Sequence, residues 1–417
     1  MSKLGERAYE NKLITLFFFT WGFLFIDRLS IAFILPVIVP DLNITNTQVG
    51  IINMSFTIMW GLSAVVFSGI ADKKGNLKRW LLLSGFLTAI FGGACALAVS
   101  FETLVVLRAL VGMAEGPFST FIMAALGKSV AQQRLGVSVG IVNAGVSVIA
   151  ATLGPIFLTQ LVSITSWQMA FLVAATPGLI FMIVVWRFVK PIPDAKPTER
   201  TEENGEKLSK KNMFSELWSY RNFKICCILA ATHMSGYYVM QLFASLYWTE
   251  VAGLSVQSTG FLISAAGIFG IATSIIMPKL SDIYGRKPIL LICYIFCMLP
   301  SLTMFLIPGS TFSMVVYVVA SGLPGALGIF WINLIPIETL PASLTSTGIS
   351  IPMSLGEFIG GAAVTTFAGV IADMYGLPTM MIIVTVGMFL SFLVCLPLIE
   401  TAPRALDRRR FKANVNI

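Results

Sequence analysis

Charge is what this chain has least of. Only 12% of its 417 residues are Asp, Glu, Lys or Arg, against about 25% in an ordinary soluble domain. That deficit excludes the two or three soluble domains that length alone would suggest. Histidine is nearly absent, with His233 the single copy. The six cysteines (Cys95, Cys226, Cys227, Cys293, Cys297, Cys395) all lie inside apolar runs. None has zinc-ligand or redox-motif spacing, so free thiols and no metal are expected. The chain lacks a phosphate-cradling glycine loop and a nucleophile–base set, which argues against an enzyme. It also lacks a soluble segment long enough for the nucleotide domain of a primary pump. No cofactor is expected.

What the chain has is hydrophobicity: 56% of its residues are apolar and the mean hydropathy is +0.86. Runs long enough to cross a bilayer, about 20 residues, fall at 13–40, 48–71, 80–99, 103–127, 135–162 and 168–189. Six more follow at 222–250, 256–280, 288–308, 311–338, 344–372 and 377–399. The first run is long enough to span and has no small-residue cleavage site, so a membrane helix is expected there rather than a signal peptide. Between the two sets, "KPIPDAKPTERTEENGEKLSKKN" is rich in charge and Pro. It reads as a linker ending near a short surface helix. The expected organisation is all-α and polytopic. An N-terminal six-helix bundle (1–189), a linker (190–221), a C-terminal six-helix bundle (222–400) and a tail (401–417) follow one another.

The net charge of +8 invites a nucleic-acid surface, but the basic residues sit in short loops. Lys and Arg occupy the N-terminal tail, the loops after spans 2, 4 and 8, the linker and the C-terminal tail. The loops on the other side have none. Under the positive-inside rule both termini and the linker are expected in the cytoplasm. Nucleic acid is not an expected partner; the bilayer of a plasma or inner membrane is. Only Arg28 and Arg108 among the basic residues lie inside spans.

The halves read as copies. "GIADKKGNLKR" after span 2 matches "PKLSDIYGRKP" after span 8, placing Asp72 over Asp282 and Gly75 over Gly285. The same offset lays span 1 on span 7 and span 5 on span 11. Parallel repeats of this kind build two-bundle transporters.

The run Gly69-x-x-Asp72-x-x-Gly75 with Lys78-Arg79, echoed by Asp282-x-x-Gly285-Arg286-Lys287, resembles the signature of the major facilitator superfamily. The resemblance implies the twelve-helix major facilitator fold. It also implies a latch of loop acids and bases: Asp72, Gly75, Lys78 and Arg79 in one half, Asp282, Gly285 and Arg286 in the other. Asn76 stands where a base is common, so the first latch shifts toward Lys78 and Arg79. More narrowly, the chain is similar to the anion:cation symporters. Asp27-Arg28 in span 1, with Arg108 and Glu115-x-Pro117 in span 4, carries that likeness. It implies proton-driven uptake of an organic carboxylate such as a sugar acid, the span acids taking the proton and arginines the anion.

The same residues have a direct physical reading. A charge at the bilayer centre costs about 2.5–3.5 kcal/mol on insertion scales, and such residues are by default functional. Asp27 and Arg28 are adjacent, so their side chains diverge by about 100° and each needs its own partner. Arg108 and Glu115 lie two turns apart on one face of span 4, about 10 Å along the axis. The four signs cancel. An anion can claim an arginine if one acid is neutralised, and burial favours the neutral carboxyl. Glu115 is the expected proton site with Asp27 coupled to it, and Arg28 the anion anchor. Arg108 is either a switching partner of Glu115 or a second anchor.

The second half offers neutral polar groups. Tyr237 and Tyr238 take the places of Asp27 and Arg28, and Gln241 lies one turn on. They are candidates for binding a hydroxylated or aromatic acid, the alternative being aromatic packing. Trp331, Asn333 and Asn143 are lesser binding candidates. Glu357, flanked by Gly356 and Gly360-Gly361, serves coupling, gating or a bond to another helix. His233 is a packing partner or a proton relay, and Glu338 a latch or loop acid. A monomer is expected. A proton-coupled drug antiporter and a non-transporting sensor of the same fold are the competing functions.

Overall fold

A computed structural model of the chain describes residues 3–192 and 210–402. Twelve of its helices are long and apolar enough to cross a membrane. They are span 1 (Glu6–Leu42), span 2 (Asn46–Ala71), span 3 (Leu77–Leu97), span 4 (Phe101–Ser129), span 5 (Gln133–Ile164) and span 6 (Trp167–Phe188). Then come span 7 (Arg221–Val251), span 8 (Val256–Tyr284), span 9 (Arg286–Leu306), span 10 (Thr311–Thr339), span 11 (Thr347–Tyr375) and span 12 (Pro378–Cys395). Among the described residues there is no strand. Most of the linker and the tail from residue 403 lie outside the described residues. A short helix, Lys210–Leu217, precedes span 7.

Helices are the only open-ended elements that satisfy every backbone group inside hydrocarbon. Their starts are written in polar residues. Thr45 and Gln48 form a capping box before span 2, Ser100 and Thr103 one before span 4, and Ser166 caps span 6. Each supplies an acceptor for an otherwise orphaned N–H.

Four spans carry π-helix. Segments of π-helix interrupt span 5 at Val146–Leu153, span 7 at Tyr247–Val251, span 10 at Phe330–Leu334 and span 11 at Glu357–Val364. The interruptions of spans 5 and 11 are both eight residues long and fall at nearly the offset that relates the halves. The repeat therefore extends to where the helices widen. It reaches the turns as well: Gly75 (φ 67°) and Gly285 (φ 108°) each follow a span in a conformation that favours glycine.

The described chain forms two compact units: Met1–Pro197 with Phe243–Gly267, and Thr198–Leu242 with Ile268–Ile417. The first unit thus takes in more than the first six spans. The end of span 7, the turn after it and the start of span 8 pack on spans 1 and 5. Proline chemistry explains part of this. Pro36 has no N–H, so the carbonyl of Ala32 loses its helical donor, and the Ser245 hydroxyl donates to that carbonyl. At the break in span 5, the Ile156 N–H donates to Ser264 Oγ at 3.0 Å. A Cβ on Gly267 would stand 2.8 Å from the Ala151 carbonyl oxygen, the one left open by Pro155. Sequence runs assign these residues to the second bundle; their unmet backbone partners lie in the first.

Candidate functional site

The charged cluster lies in the first unit, where spans 1, 2, 3 and 4 meet. Span 4 approaches span 2 through glycine. A Cβ on Gly112 would strike the Phe56 carbonyl, and one on Gly116 the Trp60 carbonyl. That closeness brings two aromatic rings of span 2 to the arginines of spans 1 and 4.

Arg108 is buried, and its guanidinium reaches the main chain of span 1. Nη1 donates to the Asp27 carbonyl at 2.7 Å and Nη2 to the Arg28 carbonyl at 3.1 Å. Its Cζ stands 4.8 Å from the centre of the Phe56 ring. Arg108 therefore fixes the backbone on which the Asp27-Arg28 pair is carried. Its Nε has no hydrogen-bond partner among the described residues.

Arg28 sits in an aromatic box. Its Cζ is 5.4 Å from the Phe25 ring, 5.3 Å from Phe56 and 5.3 Å from Trp60. Ring faces attract a guanidinium by about 0.5–2 kcal/mol each. Among carboxylates, Glu115 Oε1 lies 3.9 Å from its Nη1. Accessibility separates the four charges. The Arg28 side chain is 11% exposed and that of Glu115 0%, while Asp27 and Arg108 are each 1% exposed.

Asp27 faces span 3 at Gly92. A Cβ there would lie 2.5 Å from the Asp27 Cγ, so only glycine leaves room for the carboxyl. Both Asp27 side-chain oxygens lack a hydrogen-bond partner among the described residues. Burying such a group unmet costs about 1–3 kcal/mol, more if charged, and a proton removes the charge. Gly92 and the box of Phe25, Phe56 and Trp60 are functional residues that sequence reasoning missed. The Gly92-Gly93 pair in an otherwise bulky span was the available signal. Asn143 is exposed on span 5, just before its π-helical segment.

In the second unit, Tyr238 Oη donates to Glu357 Oε1 at 2.6 Å, and Gln241 Nε2 to Tyr237 Oη at 3.4 Å. His233 is buried, with Nδ1 3.2 Å from Tyr294 Oη and its ring against Tyr237 and Trp331. Trp331 belongs to the apolar core, and Asn333 two residues on is half-buried. These two share a π-helical segment and are not on one surface.

The latch residues divide. Arg286 Nη2 meets Asp282 Oδ1 and Glu338 Oε1, both at 2.7 Å. Its main-chain N–H donates to Glu400 at 2.7 Å, as does that of Lys287 at 3.2 Å. Gly285 makes this possible, because a Cβ there would be 2.5 Å from Glu400 Oε2. Glu400, beyond the last span, is a member of the second latch that the motif does not contain. In the first half Lys78 Nζ donates to the carbonyls of Trp186 and Val189, closing the end of span 6. Arg79 is exposed, its main-chain N–H held by Asn76. The side chain of Asp72 lies outside the described residues.

A family model described as the Major Facilitator Superfamily matches residues 15–351. The chain belongs to the Major Facilitator Superfamily. It is a multi-pass membrane transporter, not an enzyme, as twelve spans in two halves and the paired loop motifs lead one to expect. Among superfamily relatives, the hexuronate transporter of Bacillus subtilis (strain 168) is 27% identical over 307 residues, 68% of this chain and 70% of that one. A putative tartrate transporter of Agrobacterium vitis is 22% identical over 425 residues, 97% and 93% of the two. A solved superfamily structure, a bacterial homologue of the human lysosomal transporter Spinster, superposes with a TM-score of 0.77. It is 16% identical and covers 93% of this chain and 97% of that one, a likeness of fold.

Proposed function

We propose that this chain is a proton-coupled symporter that takes up an organic anion, a sugar acid or other small carboxylate, by alternating access. It acts as a monomer in the plasma or inner membrane, both termini on the cytoplasmic side. The relatives named for hexuronate and tartrate support the cargo class. The positions of Lys and Arg support the orientation.

The observation that carries the mechanism is the setting of Arg28. It is the one charge of the four with appreciable side-chain surface, set among three rings and paired with Glu115. An anion arriving at Arg28 draws the guanidinium from Glu115. The abandoned carboxylate, fully buried, then costs several kcal/mol unless it takes a proton. Anion and proton thus enter together. Asp27, whose buried carboxyl oxygens have no hydrogen-bond partner among the described residues, shares the proton load, and Arg108 keeps both residues of span 1 in place. Release reverses the order: loss of the proton restores the Arg28–Glu115 attraction and expels the anion.

The test uses purified protein in liposomes with labelled glucuronate, and tartrate as a second cargo. Glu115→Gln is expected to lose accumulation driven by a pH gradient while retaining exchange of internal for external cargo. Proton-driven accumulation at wild-type level in that variant, or wild-type accumulation driven by sodium and not by pH, would overturn the mechanism.

A further inference from the structure

The turn between spans 2 and 3, within the first unit, presents a strong positive charge beside apolar surface. Residues 73–79 hold four bases (Lys73, Lys74, Lys78, Arg79) and no acid, with Asp72 alone before them. Helix runs to Lys74 and begins again at Leu77. Between them Gly75 (φ 67°) and Asn76 (φ 56°) reverse the chain through the left-handed region. The reversal is so tight that Lys74, at the end of one helix, and Arg79, in the first turn of the next, line one groove of about 210 Å³.

Apolar surface continues from these bases into the membrane. Leu83, one turn beyond Arg79, is 50% exposed and lines the same groove with Trp80. The Trp80 ring is steadied by Phe121, 6.4 Å away between centroids. A second groove, of about 500 Å³, shares Arg79 and Leu83 with the first and is completed by Leu82 and Trp186. Lys78 builds this one. Its ammonium donates to the carbonyls of Trp186 and Val189, which draws the end of span 6 to the start of span 3. Trp186 stays 60% exposed there, in the last turn of a span, where membrane proteins favour tryptophan at the interface.

The two grooves thus fork from Arg79, basic at the turn and apolar farther along span 3. Among the described residues no acid lines either of them. Lys78 is engaged with carbonyls, whereas Lys74 and Arg79 are exposed. A soluble anion would be attracted by these bases but would gain nothing from Leu82, Leu83 and Trp186. A zwitterionic lipid would cover the apolar walls but would gain little from the bases. An anionic lipid uses both, and basic pockets between spans suit such headgroups.

We infer that this fork is a binding site for an anionic glycerophospholipid, the phosphate held by Arg79 and Lys74 and one acyl chain laid in each groove. The lipid belongs to the leaflet on the side of the termini, the cytoplasmic one in the orientation proposed above.

The experiment uses the full-length protein in mixed micelles and follows tryptophan fluorescence. Phosphatidylglycerol with brominated chains is the probe, and brominated phosphatidylcholine the zwitterionic reference, since bromine quenches indole at short range. Two bases near the headgroup give an expected preference for phosphatidylglycerol of about 25-fold, and Arg79→Gln or Lys74→Gln is expected to lower it about fivefold each. Trp186→Phe is expected to remove much of the quenching that phosphatidylglycerol causes. Glycerol phosphate, a headgroup without chains, is expected not to relieve it. Thermal unfolding confirms that each variant is folded. Equal quenching by the two lipids, or a preference unaltered in the Arg79→Gln, Lys74→Gln double variant, overturns the site. So does quenching untouched when Trp80→Phe and Trp186→Phe are combined. Relief by millimolar glycerol phosphate overturns the lipid in favour of a soluble phosphate. Binding in micelles depends on neither orientation nor cargo, so a failure of this site and a failure of the transport reading are told apart.

Discussion

Arg108→Ala is expected to be the most destabilising single change in the first unit, lowering the thermal unfolding midpoint and abolishing uptake. The side chain is buried and makes two charge-assisted hydrogen bonds to main-chain carbonyls of span 1. Removing it leaves Asp27 and Glu115 facing Arg28 alone, a net negative charge inside the bundle. Breaking a buried set in this way costs about 3–5 kcal/mol. Arg108→Lys separates charge from geometry. An ammonium restores the sign but cannot fork to two carbonyls at once, so partial recovery of the midpoint with poor uptake is expected. Unfolding in detergent and glucuronate uptake in liposomes measure the two. An Arg108→Ala protein with the wild-type midpoint would show that the main-chain contacts do not hold span 1.

Gly92→Ala is expected to reduce uptake by about tenfold or more, with a smaller effect on stability. The added methyl would lie 2.5 Å from Asp27 Cγ and Oδ2, and 2.8 Å from Oδ1. Either the carboxyl turns or span 3 withdraws, and overpacking of this kind costs about 1–3 kcal/mol. Gly93→Ala is the control. There the nearest atoms are Ala175 Cβ at 3.3 Å and Leu172 Cδ2 at 3.9 Å, a contact that a small adjustment relieves. Parallel uptake assays on the two variants, normalised to folded protein, check the difference. Equal losses would point to span packing and away from Asp27.

These two residues mark the limits of what the sequence carries. Arg108 is conspicuous there, since a base in the middle of span 4 has no place in lipid. Its partners are not, because they are carbonyl oxygens that every residue has. Gly92 is one of the 35 glycines; the Gly92-Gly93 pair draws attention to span 3, but nothing local says that Gly92 faces Asp27. The spans are apolar on all sides, so no stripe announces which face turns toward which neighbour. Twelve helices, two matching halves and the intramembrane charges are therefore legible, because each is a matter of composition or spacing along the chain. The box of Phe25, Phe56 and Trp60 is not, because it depends on how spans 1 and 2 rotate about their axes. Glu400 escaped for another reason: it lies beyond the last span, where motif reasoning had stopped. The π-helical segments were equally silent, although Glu357 and Asn333 each stand in one.

The hydroxyl of Ser245 and the ring of Pro36 answer one another across more than half the chain. Proline opens a carbonyl at Ala32, and serine fills it. Neither residue's value is fixed by itself. With Pro36 present, Ser245→Ala leaves a buried carbonyl without a donor, at about 1–3 kcal/mol. With Pro36→Ala, the amide of residue 36 is expected to reclaim that carbonyl and the serine to become dispensable. The unfolding midpoints of the two single variants and the double variant should then be markedly non-additive. Two positions in different halves of a duplicated gene would thus be bound by epistasis and drift as one.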